Sequence, residues 1–200
     1  FNQAYATEKN LAKAFGIAQE AANGGDARGR YLVGVMLRDG VGVARDPFRA
    51  RGLLESAAQA NHRQAMTEFG SMLMYGIGGP RDLAQAQTYL QKATDQGNLP
   101  GMLLLSRLYR TADFSGQDDR KSYELALKAA QDNHIPAYSD VGVLVREGRG
   151  VEKNPQVAGV WWKRGAELGD PTSKVNYGYV LVRGDGVSRN VGEGERLLTE

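Results

Sequence analysis

The chain has 200 residues, of which 26 are Gly and none Cys, and its 25 basic and 23 acidic side chains leave a formal charge of +2. Without Cys there is no disulfide framework and no thiolate zinc site, no apolar run nears the roughly 18 residues of a transmembrane helix, and the charges are too scattered to favour nucleic acid. Glycine at 13%, beside 42% hydrophobic residues, is nearly twice its usual share of about 7%, and that excess needs a structural explanation.

An internal repeat supplies it. The strings GVMLRDGVGV at 34–43, GSMLMYGIGG at 70–79, GVLVREGRGV at 142–151 and GYVLVRGDGV at 178–187 align without gaps. The missing copy, SRLYRTADFS, begins at 106 and carries Ser106 and Ala112 in place of the first two glycines. The period is 36 residues through five copies, which marks a repeat architecture. The chain is expected to form one repeat domain over 1–200: a partial repeat 1–28, repeats 29–64, 65–100, 101–136 and 137–172, and a partial repeat 173–200. Phe1 falls at the position of Leu37 and Glu200 falls before the Ala-Ala column of its helix, so a fragment or a trimmed chain is expected.

Each period predicts two helices. A short, mostly apolar helix A is expected over 29–39, 65–75, 101–111, 137–147 and 173–183. Helix B is expected to start at Asp46, Asp82, Asp118, Asn154 and Asn190, whose side-chain oxygens suit an N-cap, with Asn10 in the same column one period earlier. It is expected to end at Gly25, Asn61, Gly97, Asn133 and Gly169, the two residue types that best tolerate a left-handed backbone. Gly34, Gly70, Gly142 and Gly178 sit inside helix A, where each costs about 1 kcal/mol relative to Ala. Close approach of helix B through Ala50, Ala86, Ala158 and Gly194 is the expected compensation; Ser106 and Ser122 replace both partners in the third copy, so the two columns should touch.

Candidate chemistry is sparse. The glycine-rich loops lack the strand and the Lys-Ser/Thr of a phosphate loop and read as connectors. His62 and His134 share a column after the helix B turn and read as surface residues; no nucleophile or metal ligand set accompanies them. Trp161 and Trp162 stand in columns filled elsewhere by Leu53–Leu54 and Tyr89–Leu90, so they read as core. The five Met residues, at 36, 66, 72, 74 and 102, read as adaptable core filler, with Met74 as the expected surface exception. No catalytic residue, metal or cofactor is expected.

The pattern A-x-x-x-[LF]-G-x-x-x-x-x-G-x-G, then D/N-x-x-x-A, then A-A-x-x-G-[DN] resembles the Sel-one-like repeat, a relative of the tetratricopeptide repeat. Ala65 to Gly78, Asp82 to Ala86 and Ala93 to Asn98 carry it in one copy, and Ala137 to Gly150, Asn154 to Ala158 and Ala166 to Asp170 in another. The resemblance implies an all-α fold, a right-handed superhelix of helix-turn-helix repeats with the A helices on the concave side. It implies a protein or peptide partner held there, with no membrane insertion. Counting from the helix A glycines, the concave candidates are Leu32, Val35, Arg38, Asp39, Glu68, Ser71, Met74 and Tyr75; then Leu104, Arg107, Arg110, Asp140, Val143, Arg146 and Glu147; and Asn176, Tyr179 and Arg183. Arg, Tyr, Met and aliphatics without Lys match interface composition.

The same resemblance favours the periplasm or cell envelope and makes an adaptor or scaffold the leading expectation. An immunity protein that neutralises a secreted antibacterial effector, such as a type VI phospholipase toxin, is the alternative. A β-lactamase label borne by some relatives fits least, since those are cysteine-rich and this chain has neither Cys nor Ser-x-x-Lys.

Overall fold

A computed structural model describes residues 2–199, with side chains from Asn10 onward, and these residues are all-helical. In chain order the helices are α1 (Asn2–Asn23), α2 (Ala27–Asp39), α3 (Pro47–Gln59), α4 (Arg63–Tyr75), α5 (Leu83–Asp95), α6 (Leu99–Tyr109), α7 (Asp119–Gln131), α8 (Pro136–Glu147), α9 (Pro155–Glu167), α10 (Pro171–Arg183) and α11 (Val191–Thr199). They gather into two compact units, one up to Leu104 and one from Leu105. The even-numbered helices are the A helices and the odd-numbered ones from α3 onward the B helices.

Side-chain caps set where helices begin. Asp46, Asp82, Asp118, Asn154 and Asn190 each accept the backbone N–H three residues on, at 2.8–3.1 Å. That satisfies a donor with no partner inside the helix. Asn10 does not cap a helix: it lies inside the uninterrupted α1. The loop glycines of the other copies are replaced there by Ala4 and Ala6, and alanine favours continuing the helix.

The A helices also have a cap column, and it moves their starts one or two residues ahead of the sequence reading. Asp26 accepts from Arg28 N, Asn98 from Gly101 N and Asp170 from Ser173 N. His62 belongs to this column: its Nδ1 accepts the N–H of Ala65 at 3.2 Å while its ring stacks on Tyr31 at 4.8 Å. It is therefore a half-buried capping residue and not a plain surface one. His134, in the same column, makes no such cap; α8 starts at Pro136, where the missing N–H costs nothing.

The helix ends follow the glycine and asparagine columns. Gly25, Asn61, Gly97, Asn133 and Gly169 all have φ between 63° and 90°, and Gly40, Gly76, Gly148 and Gly184 close the A helices in the same left-handed region. Arginines reinforce three of those A-helix ends. The Nε–H groups of Arg45, Arg81 and Arg189 donate to the carbonyls of Arg38, Met74 and Val182, seven residues back, at 2.8–3.0 Å. A cation on an orphan carbonyl is favourable at a helix C-terminus.

Gly34 and Gly70 work differently from expectation. A Cβ at either would stand 2.7 Å from the Cγ of Leu54 or Leu90, whereas the Ala50 and Ala86 carbonyls lie farther off, at 3.4 and 3.6 Å. Each glycine is thus a hole for a fully buried leucine one turn beyond the alanine. Trp162 fills the hole at Gly142, and the Gly194 carbonyl, Leu197 and Leu198 crowd Gly178. In the third copy Ser106 donates to the Ser122 carbonyl at 2.7 Å, both residues fully buried, so the glycine and alanine columns do touch. There the leucine position holds Ala126.

The second loop glycine fixes one hairpin to the next. A Cβ at Gly42 would meet the Leu11 carbonyl at 2.5 Å, and one at Gly78, Gly150 or Gly186 would overlap the carbonyl oxygen of Pro47, Asp119 or Pro155. These glycines also have φ of 68–75°, so they answer to two constraints at once. Gly78→Ala should cost about 2–5 kcal/mol, combining a left-handed Cβ with overpacking. Gly97→Ala, at φ 73° with nothing within 4 Å, should cost about 1–2 kcal/mol; urea midpoints of the two variants check the difference.

Candidate partner-binding face

The first unit presents Leu32, Val35 and Arg38 from α2 and Glu68, Ser71 and Tyr75 from α4. Leu32 and Tyr75 are exposed, at 41% and 55%, and Val35 and Ser71 are half-buried. Leu104, near the end of this unit, is also half-buried. Arg38 ties the two helices together: its guanidinium forks onto Asp39 at 2.7 and 2.8 Å and bonds Glu68 across the gap. The hydrogen bond from Arg38 holds Asp39 below the usual carboxylate range and raises the guanidinium itself. Met74 is a correction: at 5% exposure it packs in the core with Met66, Met72 and Met102. The A helix turns it inward, one residue before the exposed Tyr75.

The second unit presents a denser polar face. Arg107 of α6 and Arg110, just past its end, converge on one carboxylate, Asp140 of α8; Arg107 Nη2 donates at 2.6 Å and Arg110 bonds the other oxygen. Asp140 is 4% exposed, so it is the buried centre of this cluster and not a free concave contact. Burial, and then the Arg107 charge, hold the neighbouring His134 below the ordinary histidine range. One helical turn and a half along α8, Arg146 donates to Asp185 at 2.7 Å. Its guanidinium lies 5.9 Å from the Trp162 ring and 5.8 Å from that of Tyr179, and Arg183 lies 5.3 Å from Tyr179 on its other contact. Tyr179 is 42% exposed, Val143 half-buried, and Asn176 donates to Ser139 Oγ. Glu147 is exposed, close to Arg149, whose guanidinium forks onto Asp119.

Several contributors escaped the sequence reading. Asp185 lies in a loop read as a connector, and Trp162, placed in the core by its column, also supports Arg146 from below. The capping role of His62 had a signal: Asp26, Asn98 and Asp170 occupy its column in other copies. Among the described residues no group of three or more His, Asp or Glu side chains could hold a metal ion, and no helix is long and apolar enough to cross a membrane.

Capped helical hairpins that recur at a fixed 36-residue period define an α-helical repeat protein. The Sel1 repeat model matches residues 1–26, 27–62, 63–98, 99–134, 135–170 and 171–200, and the chain belongs to that family. A Sel1 repeat protein from Oxalobacter formigenes shares the fold with a TM-score of 0.86 at 19% identity, over 94% of this chain and 75% of that one. A protective antigen of uropathogenic Escherichia coli, c5321, matches at 25% identity and a TM-score of 0.77 over 94% of this chain; the match spans 40% of the antigen. Immunity protein Pa5087 from Pseudomonas aeruginosa matches at 20% identity and a TM-score of 0.60, over all of this chain and 79% of that one. No curated protein matches the chain. Sel1 repeats are generally protein-interaction scaffolds and typically non-catalytic.

Two outcomes test this geometry. The His62 cap needs a neutral ring, and burial holds its pKa below the ordinary 6.5. A lowered folded pKa contributes stability that is complete above about pH 6.5 and lost as pH falls from there toward the folded value. The melting temperature should therefore drop between about pH 6.5 and 5, and His62→Asn, which keeps a capping oxygen, should reduce that drop and leave the share that comes from the half-buried His134. Asp140→Ala leaves two guanidinium groups facing each other without their shared carboxylate. With Arg107 and Arg110 still 37% and 22% exposed, the loss should be about 1–3 kcal/mol, below the 3–5 of a fully buried pair, read as a shift in urea midpoint.

Proposed function

We propose that the chain is a non-catalytic adaptor that grips a partner protein or peptide on its A-helix face. The observation that carries this reading is the composition and order of that face. Tyr75, Tyr179 and Leu32 stand exposed beside arginines whose guanidinium groups are fixed by Asp39, Glu68, Asp140 and Asp185. Tyr and Arg are the residue types that concentrate binding energy. Side chains already held in one geometry lose little entropy on association. The B helices expose apolar side chains too, Phe48 and Val160 among them, but beside solvated ones such as Thr88, Glu124 and Lys128.

An inhibitor role is the second reading, in which the same face covers the mouth of a secreted antibacterial effector. It is supported by the likeness in fold, over all of this chain and 79% of the other chain, to a protein named as an immunity protein.

Affinity capture from the source cell, with quantitative mass spectrometry, tests both. A partner taken by the native chain should be lost at least tenfold by Leu32→Asp combined with Tyr179→Ala. It should be retained by Thr88→Glu combined with Glu124→Lys. Retention by the first pair and loss by the second would place binding on the B helices and overturn the proposal. If the captured partner is an enzyme whose activity an equimolar amount of this protein abolishes, the inhibitor reading replaces the adaptor one.

A further inference from the structure

The charges at the end of the second unit's A-helix face do not balance. Arg146 and Arg183 both lie within 6 Å of the Tyr179 ring centre, yet only Arg146 has a carboxylate, Asp185. Among the described residues Arg183 has no acidic partner; it bonds the Tyr179 hydroxyl and remains exposed. Two guanidinium groups beside one ring repel each other, and one carboxylate neutralises half of that charge. Both are nonetheless held in place: Arg146 by Asp185 and by the Trp162 and Tyr179 rings, Arg183 by the ring and hydroxyl of Tyr179. Trp162 is itself fixed, 2% exposed with its indole N–H on the Ser139 carbonyl. A guanidinium presented on an aromatic ring keeps a planar fork of donors for one further carboxylate.

We propose that Arg183, with Tyr179 and Arg146, forms a docking point for an acidic segment of a partner protein. A partner carboxylate pairs with Arg183, and an adjacent apolar side chain lies on the exposed part of the Tyr179 ring. This rests on the A-helix reading above and adds the partner's chemistry. The matching face of the first unit differs: Arg38 there is already held by two carboxylates, Asp39 and Glu68, and has no charge to offer an acid.

The test uses the full chain, labelled with nitrogen-15, and an acetylated, amidated peptide alternating Glu with Leu, beside the same peptide carrying Gln in place of Glu. With the Glu peptide, the Nε–H resonances of Arg146 and Arg183 and the amides of α10 should shift. The Gln peptide should bind at least tenfold more weakly. Binding of the Glu peptide should also weaken as salt is raised, as exposed charge pairs do. Arg183→Gln should weaken the Glu peptide at least fivefold without changing the melting temperature, and Arg183→Lys should recover part of the loss. Equal shifts from both peptides, unchanged affinity in Arg183→Gln, or no shift at Arg183 at about 5 mM peptide would overturn the proposal. Shifts confined to α2 and α4 would overturn it and leave the A-helix face as the binding face. Shifts confined to the B helices would overturn both.

Discussion

The structure depends on backbone meeting backbone where a loop of one hairpin touches the first turn of the helix before it. Gly78, Gly150 and Gly186 lie against the carbonyl of the first residue of α3, α7 and α9, and Gly42 against the Leu11 carbonyl within α1, at a separation no Cβ could share. The same glycines need a left-handed backbone to turn the chain out of the A helix. Steric and conformational demands coincide on one atom, and glycine alone meets both. Because the approach uses backbone atoms, it leaves adjacent side chains free to vary, and the period stays at 36 residues while loop sequences diverge.

Inside each hairpin the packing works by exchange of volume. A glycine in the A helix accepts a leucine or a tryptophan from the B helix: Leu54 into Gly34, Leu90 into Gly70, Trp162 into Gly142. The helix-propensity cost of those glycines is offset by full burial of large apolar side chains, each worth about 1.5–3 kcal/mol. Where the large residue is missing, so is the hole: Ala126 goes with Ser106, whose hydroxyl bonds the Ser122 carbonyl. The third loop makes a similar trade, as Phe114 stands in the second glycine's column, only 6% exposed and tilted against Tyr109 at 6.1 Å.

Much of this was written in the spacing of single residue types. The B-helix caps, the left-handed ends at Gly25, Asn61, Gly97, Asn133 and Gly169, and the contact between Ser106 and Ser122 all follow from columns 36 residues apart. What periodicity hid were interactions that use a different residue in each copy. His62 caps as Asp26 and Asn98 do, but its chemical difference from them masked the shared role. The start of the chain misled for the opposite reason: Asn10 keeps the column while the glycines that would free it as a cap are gone. The candidate face was half legible. Period and helix phase picked out Tyr75, Tyr179 and the arginines as exposed or polar positions of the A helices, but phase alone left Met74 on the surface, and it is buried. Pairing was not legible at all, because Arg107, Arg110 and Asp140 meet across a gap of 30 residues or more.

The exchange of volume within a hairpin has an evolutionary corollary. A glycine and its leucine lie 20 residues apart in sequence, so a point mutation at either changes only half of a matched pair. Serine at the glycine position is harmless once the opposing residue is alanine, and disruptive while it is leucine. Such pairs drift together or not at all, whereas a whole hairpin carries both halves with it. Duplication and recombination of complete 36-residue units therefore preserve packing that piecemeal substitution would break, and a library built by shuffling intact hairpins should keep more folded members than one built by mixing residues column by column.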